Sequence, residues 1–445
     1  MAVSRRGVMK AGALSIALAG SVDSIFQSGA SAETGAAGTG AGGEAFGYGP
    51  LVADPKGVLD LPKGFAYKTL STEGEPIKDG VVVPGHHDGT ATFPGSRPHR
   101  TRLVRNHEQS NNGTRAVAAP ELTYDPAANG GTTTLEVDRD GTLISQYVSL
   151  AGTATNCAGG RTPWGTWLTC EETEGFSGQT KSHGWVFEVD PTGRRTEPVP
   201  LTALGRFAHE AVAVDPHTHT AYLTEDAKGP FGLFYRFTPR SHRGDYHAYL
   251  AGGTLEAMYV PDVRDLSVVQ EPGTRLRVQW TKVPDPSAAT VSTRKQFEDG
   301  QITRSQKIEG AWWGHGKAYF VCSFSHTKDG AAAEHAGQVW TYDPHRREIE
   351  LQLVFKPGGR FDGPDNITVS PYGGGVILAE DGDGENYLVG TTSDRRPFAL
   401  ARNAFNDSEF TGVTFSPDGR ILFANRQEGP GVTFAITGPW HHLHR

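Results

Sequence analysis

From about Leu51 onward, short apolar runs rich in Val, Phe, Tyr and Thr alternate with D-P, P-D-G and G-G breaks, and no long stretch has a 3.6-residue period. Period-two alternation between turn signals predicts strands. Three runs share one plan of polar residue, alternating strand, turn, apolar strand and polar residue: "EAVAVDPHTHTAYLTED" from Glu210 to Asp226, "DNITVSPYGGGVILAED" from Asp365 to Asp381, and "TGVTFSPDGRILFANR" from Thr411 to Arg426. "CAGGRTPWGTWLTCEE" from Cys157 and "EGAWWGHGKAYFVCS" from Glu309 fit the same template. The stretch from His87 to Glu108 is a longer-turned relative, which brings the hairpins to six. Self-similar short strands predict an all-β propeller. Companion runs such as Gly184 to Gly193, Gly232 to Pro239 and Gly337 to Pro344 supply the outer strands of four-stranded blades. The expected organisation is a single propeller domain over 51–445. The segment at about 242–305, which lacks the repeat plan, is expected as an insertion between the third and fourth of these repeats.

A hairpin returns to where it started, so residues 14 to 16 positions apart across a tight turn lie side by side. Cys157 is thereby set against Glu171 and Glu172, Glu210 against Glu225 and Asp226, and Asp365 against Glu380 and Asp381. If these hairpins are the inner strands of successive blades, their ends meet at one mouth of the central channel as a ring of carboxylates with one thiol. Several bare carboxylates so close together cannot all ionise, and multivalent cations are the natural remedy. Oxygen-rich sites suit calcium, whereas a thiolate among them suits a transition metal such as iron. A single acidic pair at a strand end is most often a solvated turn, so the weight lies in the recurrence. In "NHE", Glu108 is the better ligand and His107 more often a hydrogen-bonded structural group. The terminal "HHLHR" carries no functional weight.

The first residues alter the setting. Arg5-Arg6, a short apolar run and a small-x-small site at Ala30-Ser31-Ala32 read as a twin-arginine export signal over residues 1–32, followed by a Gly/Ala-rich lead-in over 33–50. That route carries folded cargo, which fits a metal acquired before export, with the Tat translocase as a transient partner. No segment approaches the roughly 20 apolar residues of a membrane helix, so no membrane anchor is expected. Removing the signal's net +2 takes the net charge from −8 to −10, which argues against nucleic acid and anionic membrane as partners. Of the three cysteines, at least one must stay unpaired. Cys170 and Cys322 sit in apolar runs and are equally well read as buried hydrophobes, whereas Cys157, in a polar Gly-rich context, fits that reading less well.

Taken in order, "NHE", "NCAGGRTPWGTWLTCEE", "LGRFAHE", "DNITVSP", "ILAED" and "EFTGVTFSPDG" resemble the motif series of the PhoX alkaline phosphatases, a family of secreted, Tat-dependent proteins. The resemblance runs through most of the mature chain, and the Cys-to-Glu block is its most specific part. It implies a six-bladed propeller holding Fe(III) and Ca2+ at one end of the channel. By motif, Cys157 would be the thiolate ligand to iron, and Glu171, Glu210 and Asp365 metal carboxylates. Glu309 would take the catalytic-side acidic position. The hairpin geometry adds Glu108, Glu172 and Glu380 as candidate ligands. Where the family has Arg-x-Glu this chain has Lys307-Ile308-Glu309, and a lysine offers phosphate a point charge instead of a bidentate fork.

Such a site suits hydrolysis of small phosphate monoesters, with cations neutralising the phosphoryl oxygens and Lys307 adding positive charge in the transition state. Arg426 and Arg206 are candidates for phosphate contacts, pairing with nearby carboxylates being the equally good alternative. The expected protein is a monomeric, extracytoplasmic phosphatase that scavenges phosphate. The alternatives are a calcium-dependent propeller lactonase or phytase-like esterase, which need no thiolate, and a non-enzymatic propeller whose calcium is structural.

Overall fold

Among the described residues, six antiparallel sheets follow one another as blades, and Pro76–Lys78 with Val81–Val82 forms a separate two-stranded sheet. A computed structural model describes residues 46–444, apart from 79, 112–114, 299 and 374. The export signal and residues 33–45 of the lead-in lie outside the described residues. The innermost strands of blades 1 to 6 are His87–Pro94, Asn156–Arg161, His209–Val214, Ile308–Gly314, Pro364–Val369 and Phe410–Phe415. Each pairs with the next strand in sequence, and the third and fourth strands extend the sheet outward. Blade 2 stops at three strands. Blade 6 takes its fourth strand, Ala66–Thr72, from the start of the fold, which ties the ends of the ring together. Among the described residues the only helical elements are single 3-10 turns, and no helix is long and apolar enough to cross a membrane.

The apolar residues of this β pattern pack between blades. Blades 1 and 2 share Ala91, Val104, Trp167 and Phe187; blades 2 and 3 share Leu168, Cys170, Val212 and Leu223. The remaining four interfaces have their own clusters, the last joining Leu103 and Leu135 of blade 1 to Ile421 and Phe423 of blade 6. Both faces of the second strands are therefore covered, which is why runs such as Val376–Glu380 and Ile421–Arg426 begin as continuous apolar stretches. Each fully buried Leu or Phe contributes about 1.5–3 kcal/mol, so no single interface dominates.

Segment 242–305 is built into the blades. Gly253–Tyr259 is the fourth strand of blade 3 and Gln279–Lys282 its fifth, while Arg275–Arg277 adds an edge strand to blade 4. Its lack of the repeat plan reflects its place on outer strands, where one face meets solvent and the apolar pattern thins.

Every inner hairpin has a register irregularity near its start: between His87 and Thr90, Asn156 and Gly159, His209 and Val212, Ile308 and Ala311, Pro364 and Asn366, and Thr411 and Thr414. An extra residue there twists the strand and re-aims its side chains. The inner strands also approach closely at this level. A Cβ on Gly89 would sit 2.6 Å from Ala158 Cα, and one on Gly310 would sit 2.4 Å from the Asp365 carbonyl oxygen.

Candidate metal centre

The second residue of each inner strand falls at or just before its bulge, in the order Asp88, Cys157, Glu210, Glu309, Asp365 and Thr411. The residue just past the end of each second strand returns to the same level: Glu108, Glu172, Asp226, Ser323, Asp381 and Gln427. Backbone bonds fix this closure. The amides of Glu108, Glu172, Ser323 and Asp381 donate to the carbonyls of His86, Thr155, Lys307 and Gly363, at 2.8–3.0 Å. Those four acceptors have φ of 49°, 50°, 51° and 50°, a left-handed turn that sets the strand's entry. Three of them are not glycine, so strain is stored where the strand enters the mouth.

Two groups of side chains come together there with ligand atoms within 4.8 Å of one another: Cys157, Glu172 and Glu210, and then Glu210, Glu309 and Asp365. Glu210 belongs to both. Burial raises the carboxyls of Asp88, Glu172, Glu210 and Asp365 well above the usual range, and neighbouring acids push them further. Glu309 is pushed up to about 7 by burial against the opposing pull of Lys307. The Cys157 thiol is raised by burial and by Glu210 and Glu172, and its sulfur lies 3.3 Å from the His209 carbonyl oxygen.

One cation stands among these acids. Lys307 Nζ donates to Asp226 Oδ2 at 2.8 Å and also pairs with Glu309. Burial works against its charge, but Asp226, Glu309 and Glu172 outweigh it and hold the ammonium well above its ordinary pKa. Gln427 Nε2 bridges Asp88 Oδ2 at 3.2 Å and Glu108 Oε2 at 2.8 Å. The other oxygens of Asp88 and Asp226, the Oδ1 atoms, are buried without a hydrogen-bond donor.

Four sequence candidates are not brought into this group. Glu171 is turned into its blade, where Oε1 accepts from Ala154 N at 2.9 Å and lies 2.6 Å from His183 Nδ1, while Oε2 accepts from Gly184 N and Trp185 N. Glu380 does the same, accepting from Asp362 N at 3.0 Å and Tyr387 N at 2.9 Å. Arg206 donates to the carbonyls of His183, Ala288 and Glu174. Arg426 donates to the Pro430 carbonyl and lies over the Phe405 ring at 4.2 Å. His107 bonds Gly85 O and Thr133 Oγ1 inside blade 1, the structural alternative. Cys170 and Cys322 are core residues, and all three thiols are free.

Asp88, Asp226 and Asp381 belong to the electrostatic cluster without having been among the candidate ligands. Asp88 had a signal. "DG" at Asp88-Gly89 matches "EG" at Glu309-Gly310, an acid aimed at the axis followed by a residue small enough for strand contact.

The family model for alkaline phosphatase PhoX matches residues 46–146 and 140–431. The chain belongs to the PhoX alkaline phosphatase family. Membership makes it an enzyme of phosphate-ester hydrolysis. Among solved structures, the Pseudomonas fluorescens PhoX in complex with vanadate, a transition state analogue, is similar over 88% of this chain and 98% of that one, at 19% identity and a TM-score of 0.67. That likeness gives the PhoX chain its six-bladed fold. Weaker likenesses are a gluconolactonase from Xanthomonas campestris, at 11% identity over 82% of this chain and 100% of that one with a TM-score of 0.36, and a nidogen/laminin complex, at 10% over 66% and 82% with 0.38. No curated protein matches the chain.

The mouth of this PhoX-family propeller suits a metal cluster on its own chemistry. It combines hard carboxylate oxygens, one soft sulfur and buried oxygens with no donor, which a lone lysine cannot neutralise.

Proposed function

We propose that the protein is an exported phosphomonoesterase for phosphate scavenging, whose channel mouth holds Fe(III) and Ca2+. The observation that carries this reading is the pair of ligand groups sharing Glu210, one with the Cys157 sulfur and one made of carboxylates alone. The sulfur-bearing group suits iron, and the all-oxygen group suits calcium. Asp88, Glu108, Asp226 and Asp381 complete the oxygen supply. Bound cations would supply Lewis acidity and positive charge at a phosphoryl group.

The chain's own part is positioning and charge. Lys307, held between Asp226 and Glu309, presents an ammonium on the acidic rim, where it meets one phosphoryl oxygen as a point charge. Glu309 orients that ammonium and belongs to the second ligand group. Buried walls keep water from weakening both effects. Arg206 and Arg426, bonded to backbone carbonyls, serve the loops behind the mouth. The Arg5-Arg6 pair sends the loaded, monomeric protein out of the cytoplasm by the Tat route.

Metal analysis of protein isolated from its own folding compartment, paired with a phosphomonoester assay, tests the reading. Iron with calcium and chelator-sensitive phosphatase activity are expected. Calcium alone, with lactone hydrolysis instead, would overturn it. Replacing Arg5 and Arg6 by Lys should leave precursor in the cytoplasm; undiminished export through the general pathway would remove the support for metal loading before export.

A further inference from the structure

Cys157 brings the only sulfur to the two ligand groups, and a second thiol lies across the strand pair from it. In the inner hairpin of blade 2, Asn156 is paired with Glu171 and Gly159 with Thr169, so Cys157 and Ala158 together oppose Cys170. The Glu172 amide, bonded to Thr155 O at 2.9 Å, continues the same register on the other side. Opposed residues on antiparallel strands have Cα atoms about 4.5–5.5 Å apart, inside the roughly 4.4–6.8 Å that a disulfide spans.

Both thiols face blade 3. The Cys157 sulfur lies 3.3 Å from His209 O and 3.5 Å from Glu210 O, on the inner strand of that blade, and 4.0 Å from Cys170 O. Cys170 packs into the same cluster as Cys157, with Val212 and Leu223 of blade 3. Cys322 belongs to a different cluster, between blades 3 and 4. A buried cysteine can serve simply as a small apolar filler, and that account is sufficient for Cys322. At Cys170 the filler is also a thiol beside the sulfur of a candidate metal ligand.

We infer that Cys157 and Cys170 are a latent disulfide pair, which closes in metal-free protein under oxidising conditions and takes the sulfur away from the metal centre. The inference rests on the reading of Cys157 as a thiolate ligand. A small-molecule disulfide supplies the oxidising equivalents. The Cys157 thiolate attacks one of its sulfurs, which releases one thiol and leaves a mixed disulfide. The Cys170 sulfur, having lost its proton, then attacks the Cys157 sulfur and expels the second thiol. The protein gives up two protons and two electrons, and the S–S bond of the oxidant becomes two thiols.

Cys157 is the point of entry because it stands at the mouth with Glu172 and Glu210, whereas Cys170 is fully buried. A sulfur joined to Cys170 is no longer a thiolate and is lost to the first ligand group. Metal bound there holds the thiolate and blocks the first attack. A reducing cytoplasm keeps the pair open until metal arrives, so loading before export protects the site as well as filling it.

The test exposes metal-loaded mature protein, and the same protein stripped by chelator without air, to oxidised glutathione, and maps the thiols by alkylation and peptide mass. Stripped protein is expected to join Cys157 to Cys170, to keep Cys322 as a free thiol, and to take up iron again only after reduction. Loaded protein should crosslink at least about tenfold more slowly, since bound metal competes with the oxidant by mass action. Cys170→Ala should keep its phosphatase activity when loaded; when stripped it should retain glutathione on Cys157, because the resolving thiol is gone. Stripped wild-type protein with three free thiols, with glutathione left on Cys157, or with a crosslink that does not stop iron uptake would overturn the inference alone. Equal rates of crosslinking with and without metal would overturn it together with the assignment of Cys157 as a ligand. Modification of Cys322 in step with the pair would trace the crosslink to unfolded chain, and would likewise overturn it.

Discussion

Glu171 and Glu172 are neighbours of the same residue type at one strand end, yet they belong to different parts of the molecule. Glu171 faces into blade 2, where both oxygens are taken up by backbone amides and by His183, whose own pKa is raised because burial is outweighed by Glu171 and Asp125 together. Glu172 faces the mouth, where burial and then Asp226, Glu108 and Glu309 act against its charge. The split recurs. Glu225 accepts from Tyr235 Oη at 2.7 Å and Arg294 at 3.1 Å while Asp226 meets Lys307, and Glu380 binds two amides while Asp381 acts on Asp365. The first acid closes the loop that rises to the mouth; the second leaves its charge for something outside the chain. Burial alone does not mark a ligand. Burial with unmet charge does.

The largest test of that distinction falls on Glu210, the residue common to both ligand groups. Glu210→Gln should cost at least 100-fold in phosphatase activity and lower both iron and calcium content, since disturbing groups one step further out already costs about 10 to 100-fold. In metal-free protein the same change should act in the opposite direction, raising the free energy of unfolding, and with it the melting temperature, by about 1 kcal/mol or more because one repelling carboxylate is gone. Thermal unfolding with and without chelator reads both. A metal-free variant melting below wild type would mean that the mouth acids are not in conflict.

pH gives the next largest effect. Glu309 is raised to about 7 and Glu380 to about 9, both chiefly by burial. Acids whose folded pKa lies above the unfolded value bind more protons when folded, so the stability they give is complete below about pH 4.5 and is lost as pH rises through the folded values. Metal-free protein should therefore lose stability steadily from about pH 5 to pH 9. Metal loading should flatten the part due to the mouth and leave the part due to Glu380. Denaturant midpoints across that range, with and without metals, would separate the two.

Exchanging the neighbours themselves should produce effects of different kinds. Glu172→Gln should lower metal content about 10-fold or more with little loss of metal-free stability. Glu171→Gln should cost about 3 kcal/mol, because His183 and two amides lose a buried partner, while metal stoichiometry of the folded fraction is kept. If Glu171→Gln lost metal as readily as Glu172→Gln did, the backing residue would have to be counted as a ligand.

The fold was legible because turn chemistry and alternation are local. "SPDG", "DPHTHT" and "SPYGGG" mark inner turns, and the apolar runs beside them mark strands buried on both faces. The mouth was legible to within one residue. Hairpin return places Cys157 near both Glu171 and Glu172, and strand alternation cannot choose between them beyond the last paired residue, where the chain leaves the sheet. The choice is made by His183 and Asp125, which come from distant loops. Asp88 was passed over because its hairpin was aligned on His87, one position early. Arg206 and Arg426 had the right charge near the right strand ends, but their partners are carbonyls of neighbouring loops, and a carbonyl leaves no mark in a sequence.

Arg206 therefore gives the smallest and most discriminating effect. Its Nε donates to His183 O at 2.9 Å, and its two terminal nitrogens reach Glu174 O at 2.6 Å and Ala288 O at 3.3 Å. A guanidinium can hold three carbonyls on separate loops at once; an ammonium on a shorter reach can hold one or two. Arg206→Lys should thus lose about 1–2 kcal/mol of stability, roughly one to two net hydrogen bonds. Because the loop it ties begins at His183, some loosening of Glu171 should follow, whereas Glu172, tied by its own amide to Thr155 O at 2.9 Å, should keep its place. The KM for a phosphomonoester should stay within about twofold of wild type, since no cation facing the substrate has been removed. A KM raised tenfold or more with stability unchanged would place Arg206 on the phosphate instead, and would show that a residue bonded entirely to backbone behind the mouth can still swing into it.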